Sequence, residues 1–322
     1  MTLVVLGCGW IARRHAVAAR RLRVPTIFAS RDVDRAHAYA REFGGIAAYG
    51  SYAEALRDPR AAAAVVCTPH DRHLDDVLAA LAADRHVLVE KPLARTLEEA
   101  DRMIDAAARA GRVLMTAENF RFMPAFRWVR QALDARLLGE PREIHLFARG
   151  WRRHAGWRLT AGAGGGALID GGIHYVHALR WWGGDVRRVF ALRPRQTLAE
   201  MTGEDAVDLL AECADGVVGL IANSLAAPGR SRFQWSSVTG TRATCFVDNR
   251  GRWALVRGND GVRLRLFRRD TRGHETMLRA FADAIGLGRA TEMDGAEGRR
   301  DLAVVLAAYR SISERAPVTP AC

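Results

Sequence analysis

Lysine is almost missing from this chain: of its 48 lysine and arginine residues, Lys91 alone is lysine and every other is arginine. Long apolar runs are missing as well. Stretches such as 61–68 fall far short of the roughly 20 residues that a helix needs to span a bilayer, so no membrane association is expected. The five cysteines (Cys8, Cys67, Cys213, Cys245 and Cys322) are odd in number, widely scattered and never spaced CxxC. That excludes a disulfide framework or a zinc site and fits a reducing compartment. The opening MTLVVLG has no basic segment or cleavage pattern and enters a glycine turn at once, which points to a cytoplasmic protein. The net charge is +12, yet the arginines are spread through every segment instead of gathering in a run with interleaved aromatics. Nucleic acid is therefore not an expected partner.

What is present reads as a globular chain of two ordinary domains, 322 residues long with 49% hydrophobic and 26% charged residues. Strand patterns at 3–6, 25–29, 62–68, 86–90 and 112–117 alternate with helical ones at 10–22, 75–83 and 97–110. Thr96 and Glu99 form a capping box at the start of the last. Alternation of this kind means a doubly wound parallel sheet, assigned to residues 1–120. From 121 to 322 the pattern changes. A helix (125–137), a strand (143–149), a glycine-rich loop and a helix (167–182) precede hairpin signals at Asp215-Gly216, Thr239-Gly240 and Asn259-Asp260-Gly261. Helices at 275–285 and 300–313 close the chain. The second half is thus α+β on a large, open, mostly antiparallel sheet.

Gly7-Cys8-Gly9-Trp10-Ile11-Ala12 is a GxGxxA fingerprint placed after a strand and opening a helix. The first glycine makes the tight turn, the second admits a pyrophosphate to the backbone, and Ala12 permits close helix packing. The helix N-terminus then offers unpaired N–H groups to the phosphates. The second strand ends in Ala29-Ser30-Arg31-Asp32. A small hydroxyl followed by a guanidinium suits a 2′-phosphate, so NADP(H) is favoured over NAD(H). The other reading has Asp32 turned back to the ribose, with Arg31 one more surface arginine.

Three features stand together in order: GxGxxA, Glu90-Lys91-Pro92 at a strand end, and the glycine loop Gly164–Gly166 leading to Asp170 and His174. With Thr68-Pro69 and His73, "ENFRFMP" around Asn119 and Arg121, "GWR" at 156–158 and "AAYRSISERAPV" near the end, the chain resembles the glucose-fructose oxidoreductase / inositol dehydrogenase (Gfo/Idh/MocA) family over nearly its whole length. The resemblance implies a Rossmann domain followed by an open-sheet domain, and hydride transfer on a carbonyl/alcohol pair of sugars and cyclitols. It also implies that Thr68, Pro69, Glu90 and Asn119 lie beside the nicotinamide and its ribose, that Trp157 and Arg158 reach cofactor or substrate, and that two or four subunits pair through the sheet.

The residues support the same chemistry. Read as one α-helix, 167–182 puts Asp170 and His174 at i,i+4 on one face. His174 can exchange a proton with an alcohol as hydride moves, its ring oriented by Asp170. Lys91, a compact ammonium, can stabilise a developing alkoxide where a planar arginine would crowd the nicotinamide. Two departures bear on substrate: His70 replaces a common Asn, and His177 stands where the family often has an Asp that binds substrate hydroxyls. Arg121, Arg152, Arg153 and Arg158, with His174 and His177, fall in segments expected near the substrate, where an acidic sugar, sugar phosphate or nucleotide sugar is one reading. His70/His73 and His174/His177 have metal-like spacing but lack a remaining ligand set. Two alternatives stay open: a non-catalytic NADP-binding sensor or regulator, and a reductase of an imine, enone or aromatic diol.

Overall fold

The computed structural model describes residues 1–151, 154–228 and 234–321. In chain order the elements are β1 (Leu3–Leu6), α1 (Trp10–Arg21), β2 (Thr26–Ala29), α2 (Val33–Phe43), β3 (Ala47–Tyr49), α3 (Tyr52–Arg57), β4 (Ala63–Val66), α4 (His73–Ala82), β5 (His86–Glu90), α5 (Leu97–Ala110) and β6 (Leu114–Ala117). There follow α6 (Pro124–Asp134), β7 (Pro141–Arg149), α7 (Ile173–Gly183), β8 (Val186–Leu192), β9 (Ala206–Cys213), β10 (Val218–Ser224), β11 (Trp235–Gly240), β12 (Ala243–Asp248), β13 (Trp253–Gly258), β14 (Gly261–Leu266), α8 (His274–Leu287) and α9 (Gly295–Glu314). They form two compact units, Met1–Glu118 with His274–Arg299 and Asn119–Gly273 with Arg300–Cys322.

The first unit is a six-stranded sheet in the order β3-β2-β1-β4-β5-β6, parallel throughout. Its central strands read LVVL and AAVV and are buried at every residue, as a sheet covered on both faces requires. Helix starts are set by short polar side chains: Asp32 accepts from Arg35 N, Ser51 from Glu54 N and Thr96 from Glu99 N. Gly44 and Gly111 end α2 and α5 in the left-handed conformation, which costs a residue without Cβ nothing. The chain order reverses between β1 and β4, so the carboxyl ends of these strands open onto a crevice.

Part of this unit arrives from far along the sequence. Thr116 N donates to Met293 O, Arg21 pairs with Glu275, Arg299 pairs with Asp101, and the His15 and His274 rings meet edge to face.

The second unit is an eight-stranded sheet, β14-β13-β12-β11-β7-β10-β9-β8, in which only the β7–β10 pair is parallel. Helices α6 and α7 pack on one face. Across the strands, Leu264, Leu255 and Phe246 stand in one row by register, and Val262, Leu264 and Leu266 are exposed.

The segment read as one α-helix over 167–182 differs in structure. It begins as a π-helical turn, Ala167–Gly172, and only then becomes α7. Gly166 has φ 159, and a side chain there would collide with the carboxylate of Glu204. That carboxylate accepts Leu168 N at 2.8 Å, while Ile169 N donates to the Tyr309 hydroxyl. These side-chain acceptors satisfy N–H groups that the first turn of any helix leaves without an intrahelical partner, and helical periodicity alone does not register the wider π pitch.

Candidate active site

At the end of β1, Gly7 adopts φ +91, and a Cβ there would come within 3.0 Å of Cys67 O. The turn therefore needs glycine both for its dihedral and for the approach of β4. Gly9 has open space where its side chain would be, and α1 begins on it without any side-chain cap. Free N–H groups behind an open glycine form the cradle a pyrophosphate needs, so the residues present fit a dinucleotide. Trp10 is exposed at the helix start, Ile11 is half-buried and Ala12 is fully buried.

At the end of β2, Ser30 is buried and its hydroxyl accepts Asp32 N at 3.2 Å. Asp32 caps α2 through Arg35 N at 3.1 Å, while Arg31 is exposed.

The two turns after β4 and β5 are tied by one histidine. His73 is fully buried, with Nδ1 2.9 Å from Pro92 O and Nε2 3.2 Å from Thr68 O. Burial lowers its pKa from the ordinary value of 6.5, and each ring nitrogen faces a carbonyl oxygen that can only accept. His73 thus braces Thr68-Pro69 against the cis Lys91–Pro92 peptide, with the ring of His70 5.5 Å away.

Glu90 is also buried, and both of its oxygens are engaged. Oε1 lies 2.8 Å from His15 Nε2, and Oε2 accepts Lys91 N at 3.2 Å. Burial pushes its pKa up, but His15, Lys91 and His274 outweigh that and hold it below the ordinary carboxylate value.

In the second unit the π-turn and α7 carry the remaining residues. Asp170 accepts Arg158 Nε at 3.0 Å, and the Arg158 guanidinium lies over the Trp157 ring at 4.3 Å. His174 lies flat on Phe120, with ring centroids 4.7 Å apart and planes 10° from parallel. Asn119 Nδ2 donates to Arg272 O, and the Arg121 guanidinium covers the Trp181 ring at 4.5 Å.

His177 is buried. Its Nδ1 is 2.9 Å from Asp301, which also accepts Arg180 at 2.6 Å. Burial raises the pKa of Asp301, and His177 and Arg180 beside it outweigh that, holding the group below the ordinary value. Arg152 and Arg153, read as substrate-facing, lie outside the described residues.

Sequence reasoning missed His15, Glu204, Tyr309 and Asp301. The last two come from α9, more than a hundred residues from their partners, and no local pattern announces such pairs. His15 had a weak signal: a histidine on the helix that the glycine fingerprint opens, one turn below the phosphate cradle.

Comparison with known proteins establishes the family. Residues 1–118 match the oxidoreductase family with an NAD-binding Rossmann fold, and residues 126–246 match the GFO/IDH/MocA C-terminal domain. The chain is 27% identical to a myo-inositol 2-dehydrogenase of Thermotoga maritima, over 99% of this chain and 98% of that one. It is 36% identical over 188 residues to a 1,5-anhydro-D-fructose reductase of Ensifer adhaerens, covering 55% of each. An NAD-binding oxidoreductase from Klebsiella pneumoniae superposes with a TM-score of 0.89 at 25% identity, over 100% of this chain and 99% of that one. The parallel sheet with its glycine cradle, followed by the mostly antiparallel eight-stranded sheet, thus belongs to a nicotinamide-dependent oxidoreductase of the GFO/IDH/MocA family.

Proposed function

We propose that the protein is a dehydrogenase or reductase that moves hydride between NADP(H) and the carbonyl/alcohol pair of a sugar or cyclitol. The observation that carries this reading is the histidine pair on α7. His177 is buried and held by Asp301, whereas His174 is half-exposed, stacked against Phe120 and four residues beyond Asp170. A ring held rigid with access to solvent is equipped to pass a proton.

When bound, the nicotinamide supplies or accepts the hydride. Gly7, Gly9 and the N-terminus of α1 hold the pyrophosphate. Thr68, Pro69 and Asn119 would contact the nicotinamide and its ribose. His174 takes the proton of the alcohol in oxidation and returns it in reduction. Asp170, itself oriented by Arg158, steadies the charged form of the ring, and Lys91 stabilises the negative charge that develops on the reacting oxygen.

The cofactor choice rests on Ser30, Arg31 and Asp32. The carboxylate of Asp32 is spent on capping α2, which leaves the exposed Arg31 to meet a 2′-phosphate. The sugar or cyclitol class rests on the two relatives, one named for myo-inositol and one for anhydrofructose. A screen of polyols, aldoses and their acidic derivatives with NADP+ and NAD+, read by reduced-nicotinamide absorbance, tests the whole reading. Failure of every polyol and sugar to turn over with either cofactor would overturn it.

Assembly belongs to the same proposal. The row of Leu264, Leu255 and Phe246, flanked by exposed Val262 and Leu266, supports pairing of two or four copies through the sheet, because a monomer seldom leaves so continuous an apolar face in water.

A further inference from the structure

We propose that His15 is a positioning residue for Lys91, acting through Glu90, so that the helix carrying the phosphate cradle also sets the catalytic turn. The inference rests on the reading of Lys91 as the group that meets the reacting oxygen, and it extends that reading to a residue with no contact of its own to the chemistry.

The geometry is a chain of two bonds. Glu90 closes β5 and is 6% exposed; His15, on α1, is 1% exposed. A carboxylate can only accept, so His15 Nε2 donates to Glu90 Oε1 across 2.8 Å. The second oxygen of the same carboxylate accepts the backbone N–H of Lys91 at 3.2 Å. One buried carboxylate therefore joins a helix that begins at residue 10 to the backbone of residue 91. His15 Nδ1 has no hydrogen-bond partner among the described residues, and the ring of His274 packs edge to face against the imidazole at 5.9 Å. Among the described residues, the polar contact of the ring is Glu90.

A buried carboxylate is costly unless its lone pairs are met. With His15 in place, Glu90 is held in one orientation, and the N–H of Lys91 is held with it. Without that donor, Glu90 must turn to other partners, and the turn carrying Lys91 loses its anchor. A plain packing role for His15 would be met by any side chain of similar volume; a positioning role demands a donor at Nε2.

Lys91 is the sole lysine, so its amine can be followed directly. The full-length protein is treated with limiting acetic anhydride, and acetylation of Lys91 is measured by mass spectrometry relative to the α-amino group. In His15→Leu the Lys91 amine should react about fivefold faster, the scale of one lost net hydrogen bond. The kcat should fall about tenfold, since small misplacements of a reacting group are expensive. His15→Gln, which retains an N–H donor, should keep both values within about twofold of the parent. Glu90→Gln tests the middle link if His15→Leu does not fold, and should move both readings in the same direction as His15→Leu.

Folded His15→Leu and Glu90→Gln proteins with parental acetylation and parental kcat would overturn the proposal. Faster acetylation with unchanged kcat would uphold the positioning of Lys91 and overturn its catalytic role instead.

Discussion

The imidazole of His174 and the ring of Phe120 lie face to face, 4.7 Å apart and within 10° of parallel. Stacking fixes the plane of the imidazole and so sets the direction in which its nitrogens point. His174→Ala should leave dinucleotide affinity intact and lower kcat by about 10²- to 10⁴-fold, the usual range for losing a general acid/base. Unchanged turnover would move the proton to another route.

Replacing Lys91 by arginine keeps the charge but exchanges a compact ammonium for a planar fork. Lys91→Arg should retain the fold and much of the dinucleotide affinity while losing nearly all turnover, measured by steady-state kinetics and cofactor titration. An active variant would make the rarity of lysine a matter of composition.

Cofactor preference should follow Arg31. Fluorescence titration should find NADPH bound more tightly than NADH. Arg31→Ala should narrow the gap by about 1.5–3 kcal/mol, the worth of a charge-assisted hydrogen bond. Equal affinities in the parent protein would refute the assignment, and stronger NADH binding would point to the ribose instead.

Acid stability should have two components. The pKa of His73 is lowered by burial, so the unfolded state binds the extra proton. Its contribution is complete above the unfolded value near 6.5 and is lost as pH falls through the lower folded value. Glu90 and Asp301, also depressed, act with the same sign in the carboxylate range further down. Glu204 has the opposite sign: burial raises it, so its contribution is complete below the unfolded value and fades as pH rises through the folded one. Melting temperatures should drop on acidification below about pH 6.5. The difference between Glu204→Gln and the parent should shift in favour of the variant from acid to neutral pH. A flat profile would contradict both assignments.

Light scattering at micromolar protein should give the mass of a dimer or tetramer. Leu264→Asp, which places a charge in the exposed row with Leu255 and Phe246, should shift the mass towards the monomer while leaving the far-ultraviolet circular dichroism unchanged. A monomeric parent would refute assembly through this face.

Most of the sheet of the first unit was legible because its strands are short, largely apolar and set between well-capped helices. The 3–6, 86–90 and 97–110 elements fall at the residues read from pattern. The short α2, β3 and α3 were passed over, since 33–57 mixes charge, alanine and aromatics without a strong period. The hairpin at Asp215-Gly216 was visible in its turn chemistry and joins β9 to β10. The parallel partner of β10, which is β7, was not, because register between distant strands leaves no local mark. The glycine turn, Lys91, Asp170 and His174 are candidates that the sequence itself offers. Long-range side-chain bonds are not: His15 to Glu90 spans 75 residues, Tyr309 to Glu204 spans 105 and His177 to Asp301 spans 124.

Thr116 of β6 donates its backbone N–H to Met293 O, Asp101 pairs with Arg299, and α1 meets Glu275 and His274. During synthesis the ribosome therefore delivers the nucleotide-binding strands first and their last supports nearly two hundred residues later. The nascent first unit must wait, incompletely buttressed, until the entire sheet of the second has emerged. A fragment cut at Glu118 would be an unfinished object, and loss of residues 274–299 would disable the end of the chain that was made first.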